Sequence, residues 1–278
     1  MAMIDHEEYT NTIDVFGDDV LTDAILTRSF PETFSGDLID DKIVKVGAYS
    51  LYGCNDVVNV YFPLATVVQT SGFAYSMNLL SVDMPECTEV VQSGLQHCEK
   101  LIEVNMPKLT RLNSNAFQYC KKLKEIHLPN ATSVPSYTFG DCSELEVVDL
   151  PKVQNAQGSS FLNCNKLKTV ILPAATYIVA PFMQCPALEK VYLPAITQLG
   201  TNCFAKSNAL QEVNLGPNIA QIDANAFSST PNGMVINIPV EEGVLTGAPW
   251  GATGATINYA HPYVGPNGET LDEEGEDQ

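Results

Sequence analysis

Basic side chains are scarce in this sequence: 14 Lys and Arg stand against 33 Asp and Glu over 278 residues, a formal net charge of -19. Without a Lys/Arg stripe to neutralise phosphates, a nucleic-acid partner is disfavoured. No run of about 18 apolar residues occurs, so no membrane-spanning helix is expected. The opening stretch MAMIDHEEYTNTIDVFGDD lacks the basic start, apolar core and small-residue cleavage site of a secretory signal. Cysteines never fall in a C-x-x-C pair, and His6, His97, His127 and His261 stand in four unrelated contexts, none spaced to pair with a nucleophile or a second ligand. No Gly-rich phosphate loop is present, and GPNGET from Gly265 reads as a turn in a linker. These absences argue against a metal site, a cofactor and an enzyme.

What is present is unevenly placed. Residues 1–41 carry 11 acids and one base, and residues 265–278 carry six acids and no base. The body between them is close to neutral, with 16 acids and 13 bases. The stretch GETLDEEGEDQ reads as a solvated, disordered tail. A hydrophobic content of 45% is enough for a large core in the remainder.

That core is built by repetition. The segments SGLQHCEKLIEVNMP, NAFQYCKKLKEIHLP and YTFGDCSELEVVDLP follow one another at intervals of 22 residues. Aligned on the closing proline, the units end at Pro63, Pro85, Pro107, Pro129, Pro151, Pro173, Pro194, Pro217 and Pro239, with one interval of 21 compensated by one of 23. An aromatic residue or Leu follows each stop (Phe73, Leu95, Phe117, Phe139, Phe161, Phe182, Phe204, Phe227), and three residues later comes Cys, Ser or Thr.

The closing L-x-x-V-x-L alternates apolar and exposed positions as a strand does, and proline ends it because it has no N–H for a ladder. Between the aromatic residue and the Leu, apolar positions recur every third residue, which predicts a short 3-10 or helical turn. A 22-residue unit cannot cover its own apolar face, so the units must stack, with their strands in parallel. The expected fold is therefore a leucine-rich-repeat solenoid of about nine coils with capping ends.

The pattern P-x-A-T-x-V-x-x-x-x-F-x-x-C-x-x-L-x-x-V-x-L-P, as in PNATSVPSYTFGDCSELEVVDLP from Pro129 to Pro151, resembles the BspA-like class of leucine-rich repeats over roughly residues 43–239. The lead-in LIDDKIVKVGAYSLYGC and the ending GAPWGATGATINY resemble the flanks of repeat proteins encoded by phages and prophages. These resemblances imply a non-enzymatic recognition or adhesion protein carried on a virion, at the tail, baseplate or a surface appendage. The alternative is a bacterial or protist adhesin, or an intracellular interaction scaffold. The implied partners are a host cell-surface protein or glycan and, through the N-terminal segment, other virion proteins; neither nucleic acid nor membrane is expected.

Six cysteines (Cys54, Cys98, Cys120, Cys142, Cys164, Cys185) share one repeat column with Ser76, Ser207 and Thr230, while Cys87 and Cys203 fill other small core positions. A column that accepts Ser and Thr predicts a buried, reduced thiol ladder, because side chains leaving stacked coils in parallel do not converge on a bridge.

Recognition is expected on the strand face, where the residues before and after the inward Val project side by side from every coil. Glu103, Asn105, Glu125, His127 and Asp149, with Asp83 beside them, form a ribbon suited to a cation or a sugar hydroxyl network. Tyr61 and Tyr192 are candidate stacking or anchoring residues. The expected organisation is an acidic cap or attachment segment over 1–41, the solenoid over 42–239, a C-terminal cap over 240–264 and the acidic tail over 265–278. In the cap, Trp250 takes the place of the Phe and Ile257 that of the strand Val. In the first segment, Val20, Ala24 and Ile25 have helical spacing.

Overall fold

The computed structural model describes residues 20–21 and 36–271, the first two by backbone alone. The V-x-L of each unit forms a strand as its alternation predicts. Eleven such strands lie along one face: Asp37–Ile39, Asn59–Tyr61, Ser81–Asp83, Glu103–Asn105, Glu125–His127, Val147–Asp149, Thr169–Ile171, Lys190–Leu193, Glu212–Leu215, Val235–Asn237 and Thr256–Asn258. Paired strands run parallel, one unit apart and in register, so that Val60 stands beside Val82, Val82 beside Val104 and Val213 beside Ile236. The first and last of the eleven lie outside the proline-delimited units. The stack therefore has about ten coils rather than nine.

A second face carries strands of only two residues, from Lys45–Val46 and Val67–Val68 through Arg111–Leu112 to Gln221–Ile222. Its inward members Val46, Val68, Val90 and Val134 are fully buried. At the corner leading into this face, Thr66, Thr88, Thr110, Thr176 and Thr197 each donate a hydroxyl hydrogen bond of 2.8–3.4 Å to a carbonyl of the preceding coil. Val20–Leu21 joins the same face as a strand beside Lys45–Val46. Those two residues are therefore extended, and the rest of the expected N-terminal helix, including Ala24 and Ile25, lies outside the described residues.

The third face corrects an expectation. The segment from the aromatic residue to the Leu is not helical, and no helix of any kind occurs among the described residues. Around Phe117, the N–H groups of Ala116, Gln118 and Cys120 close turns onto Asn113, Asn115 and Phe117. Those of Asn115, Phe117 and Tyr119 reach instead to Ser136, Thr138 and Gly140 of the next coil. A 3-10 helix would spend every N–H within the segment; here alternate ones join coil to coil. The route requires a left-handed residue every fourth position, and Asn115 (φ 63°) and Tyr119 (φ 62°) supply it. A chain of turns keeps the apolar spacing of three that suggested a helix.

Inside, the three faces enclose one continuous core. Phe117, Phe139, Phe161, Phe182, Phe204 and Phe227 are fully buried and stack ring on ring at 5.2–6.0 Å between centroids, with interplanar angles of 6–23°. Offset aromatic pairs of this kind contribute about 0.5–1.5 kcal/mol each beyond their buried area. The neighbouring small-residue column has a hydrogen-bonding reason. Cys98, Cys120, Cys142, Cys164 and Cys185 direct their S–H at the carbonyl of the aromatic-column residue one coil back, at 3.1–3.4 Å, and Ser76 and Ser207 do the same at 2.6 and 2.9 Å. A small donor is what the site requires, and all eight cysteines are free thiols.

The one-residue insertion in the 23-residue unit is Gly216, between strand residue Leu215 and Pro217. Its Cα passes so close to the preceding coil that an added Cβ would lie 1.6 Å from the carbonyl oxygen of Pro194. Beyond the last proline-delimited unit, Ile257 stands in register with Ile236, and Trp250 is fully buried.

Candidate functional site

The outer surface of the eleven-strand face is a pair of polar columns, one residue on each side of the inward Val. Ladder hydrogen bonding divides it into three sheets: four strands ending at Glu103–Asn105, two formed by Glu125–His127 and Val147–Asp149, and five from Thr169–Ile171 onward. The eight expected site residues therefore fall into three groups.

On the first sheet, Asp83 is buried and accepts a hydrogen bond from Asn105 Nδ2 at 2.8 Å, beside half-buried Tyr61 and Glu103. Burial, reinforced by the Asp83 carboxylate, raises the pKa of Glu103. On the middle sheet, His127 is bracketed by two carboxylates, with Nε2 3.4 Å from Glu125 Oε2 and Nδ1 3.4 Å from Asp149 Oδ2. Among the described residues no group of three or more His, Cys, Asp or Glu is arranged to hold a metal ion. The middle sheet and the strand after it are open: Glu125, Val147, Asp149, Thr169 and Ile171 are all exposed, Val147 by 43% and Ile171 by 40%.

Tyr192, on the third sheet, departs from expectation. It is only 6% exposed, and its column neighbours Asn214 and Asn237 are 2% and 6% exposed. After Thr256–Asn258 the chain turns at Ala260 (φ 52°), and the His261 N–H bonds the Ile238 carbonyl at 3.1 Å. It then closes a hairpin through Gly265 N–H to Glu269 O (2.7 Å) and the antiparallel bridge Val264–Thr270. Tyr263 of this return is buried, and its pKa is pushed up to about 12 by that burial and by the charges of Glu269 and Tyr192. Burial likewise raises Tyr192, opposed by Lys190 and assisted by Glu212 and Glu269. The amides beneath form a ladder, Asn258 to Asn237 and Asn237 to Asn214, at 2.8 Å each. Tyr192 is thus a covered residue, and the open part of the face is the window Glu125, His127, Val147, Asp149, Thr169 and Ile171.

A second feature lies outside the expected site. On the turn face Tyr75, His97 and Tyr119 stack in parallel, with centroids 4.4 and 4.2 Å apart and interplanar angles of 16° and 15°. Tyr52 continues the line at 5.3 Å and 46°, and Tyr49 lies 5.9 Å from Tyr52 at 54°. His97 also lies 3.7 Å from Glu99, which pairs with Lys121 at 2.9 Å. In the sequence His97 stood alone; its partners lie one coil away on either side. The signal was the recurrence of Tyr, His and Tyr at intervals of 22.

The BspA type leucine rich repeat region model matches six copies across residues 37–146, 66–180 and 176–244, so the chain belongs to this family. No curated protein sequence matches it. Among solved structures it is similar to a leucine rich cell surface protein from Faecalibacterium prausnitzii A2-165, at 19% identity over 81% of this chain and 78% of that one, with a TM-score of 0.37. It is also similar to the pneumococcal vaccine antigen PcpA (12% identity, 81% and 79% covered, TM-score 0.40). A leucine-rich repeat protein from Bacteroides ovatus ATCC 8483 shares 15% identity (80% and 83% covered, TM-score 0.32). The family assignment rests on the repeat match and the coil geometry. No helix among the described residues is long and apolar enough to cross a membrane.

Proposed function

We propose that this chain is a recognition module that binds without catalysis, through the open window on the middle of the eleven-strand face. One observation carries the reading: exposed Val147 and Ile171 stand beside the polar trio Glu125, His127 and Asp149 on adjoining coils. A patch that combines apolar side chains with a fixed polar network fits a host-surface protein or glycan. Stacked coils make such a surface preorganised, since each coil packs on its neighbours through the continuous core.

The test compares the full chain with a Val147→Arg/Ile171→Arg variant in sedimentation with intact cells from a panel of bacterial strains. Both positions are exposed, so the variant should fold as the parent does and lose at least about tenfold in cell binding. Equal retention of variant and parent on every strain that binds overturns the reading.

The carrier we infer is a virion, on the resemblance of the flanks to phage-encoded repeat proteins, with the N-terminal segment as the point of attachment to other virion components. The family membership equally suits a bacterial surface protein. Mass spectrometry of purified particles and of cell envelopes from the source culture separates the two. Recovery in the envelope alone removes the virion.

A further inference from the structure

We propose that the aromatic stripe on the turn face, Tyr49, Tyr52, Tyr75, His97 and Tyr119, is a binding surface for a neutral polysaccharide. It lies on a different face from the window above and stands or falls independently of it.

Two columns of the turn face are left-handed in coil after coil, one through Tyr49, Ser71, Ser93, Asn115 and Tyr137, the other through Gly53, Tyr75, His97, Tyr119, Asp141 and Asn163. Left-handed backbone favours Gly, then Asn and Asp, and disfavours bulky side chains. Several coils follow that preference, with Gly53, Asn115, Asp141 and Asn163. Tyr49, Tyr75, His97, Tyr119 and Tyr137 do not, nor do Gln184 and Lys206 further along, but the aromatic exceptions among these fall on neighbouring coils. The solenoid explains the left-handed turn but not the phenol ring placed on it.

Tyr75, His97 and Tyr119 close their faces on one another and form a rigid post. Tyr49 and Tyr52 are inclined to their neighbours, 49% and 38% exposed, and keep ring surface open to solvent. Side chains braced in this way have already lost their rotamer freedom, so a ligand that stacks on them meets a smaller entropic cost.

The stripe runs over four successive coils, an extended surface that complements an extended polymer. A polyanion is disfavoured because the body of the chain carries no excess of bases, and the Glu99 carboxylate beside the post is neutralised by Lys121. Next to the post lie amides, with Gln96 Nε2 and Asn115 Nδ2 both donating to Gln118 Oε1. Open aromatic faces, phenol hydroxyls and uncharged amides suit the apolar faces and hydroxyls of pyranose rings.

Affinity electrophoresis of the full chain tests this, in gels containing soluble β-glucan, xyloglucan, galactomannan or α-mannan, with hyaluronate as an anionic control. At least one neutral polymer should retard the chain, and Tyr49→Ser/Tyr52→Ser should weaken that association at least about tenfold. A Tyr75→Asn/Tyr119→Asn variant should also lose binding while its Tm holds or rises, because Asn tolerates the left-handed turn. A ladder with only a structural role gives the reverse, a lower Tm and unchanged retardation. The proposal is overturned by that reverse, by retardation in hyaluronate alone, by no retardation in any neutral polymer, or by a Tyr49/Tyr52 variant retarded like the parent. A protein partner for the stripe is among the readings those outcomes would leave.

Discussion

Replacing Phe139 by Ala removes the ring from between Phe117 and Phe161, which stack on it at 5.5 and 5.4 Å. The side chain is fully buried, so its removal should cost about 3–5 kcal/mol, including both ring contacts and the cavity left behind. That is a large share of a typical stability of about 5–15 kcal/mol. Phe227 is equally buried but stacks on a single Phe, Phe204, at 5.2 Å, so Phe227→Ala should cost about 1 kcal/mol less than the central change. Urea unfolding followed by circular dichroism gives both values. Hydrogen exchange adds the location. In Phe139→Ala, the amides of Phe117 and Phe139, bonded to Thr138 and Ser160, should lose protection before that of Phe204, bonded to Ala226. Coils that contact only their neighbours must fail locally. A loss under about 1.5 kcal/mol, or one spread evenly over all coils, would refute a core built as a ladder.

Gly216→Ala should destabilise by about 2–3 kcal/mol in urea titration, since its Cβ would meet the Pro194 carbonyl, whereas Gly158→Ala, with its nearest atom 3.9 Å away, should be neutral or stabilising. Thiol titration of the unreduced, denatured chain should find eight thiols, and the native protein at pH 8 should react first at half-exposed Cys54. Burial pushes Cys87, Cys185 and Cys203 up to about 12, so their reactive thiolates are nearly absent at that pH; fewer than eight thiols after denaturation would reveal bridges. With the folded Tyr263 raised to about 12 against an unfolded value of about 10, the stability it contributes is complete below about pH 10 and lost as pH rises toward about 12. Protection factors over residues 261–271, which divide out the base-catalysed intrinsic exchange rate, should fall across that window in the parent and hold in Tyr263→Phe.

The strands could be read in advance because V-x-L-P repeats a three-residue alternation and a stop at one spacing. The two-residue strands could not. Pairs such as Ser133–Val134 and Asn155–Ala156 are too short to alternate, and their register comes from the coil beneath. The strand Asp37–Ile39 was hidden because no Leu-Pro follows it, whereas Thr256–Asn258, which lacks the same stop, was marked by Ile257 in the place of the strand Val. Apolar spacing of three fits a helix and a chain of turns equally, and what separates them is φ at residues such as Tyr119 and Gln184, where no glycine announces it. In the site, Glu125, His127 and Asp149 come together as their shared columns require. Tyr192 sits in the same column, but the segment that returns over its sheet carries no repeat, so its burial had no periodic signature.

The register of the stack also governs how such a chain can be edited. Most of its inter-coil partners lie 22 residues apart, so a unit removed between equivalent positions leaves like donors facing like acceptors. Excising residues 125–146 would set Asn105 beside Asp149 and Phe117 beside Phe161, keeping every core column while deleting His127 from the surface. Gly216 and the shortened unit before it show that single-residue errors can be absorbed at a corner. Insertion or loss of whole units can therefore rewrite what the array displays while its interior stays the same, and the length of the chain becomes a variable separate from its fold.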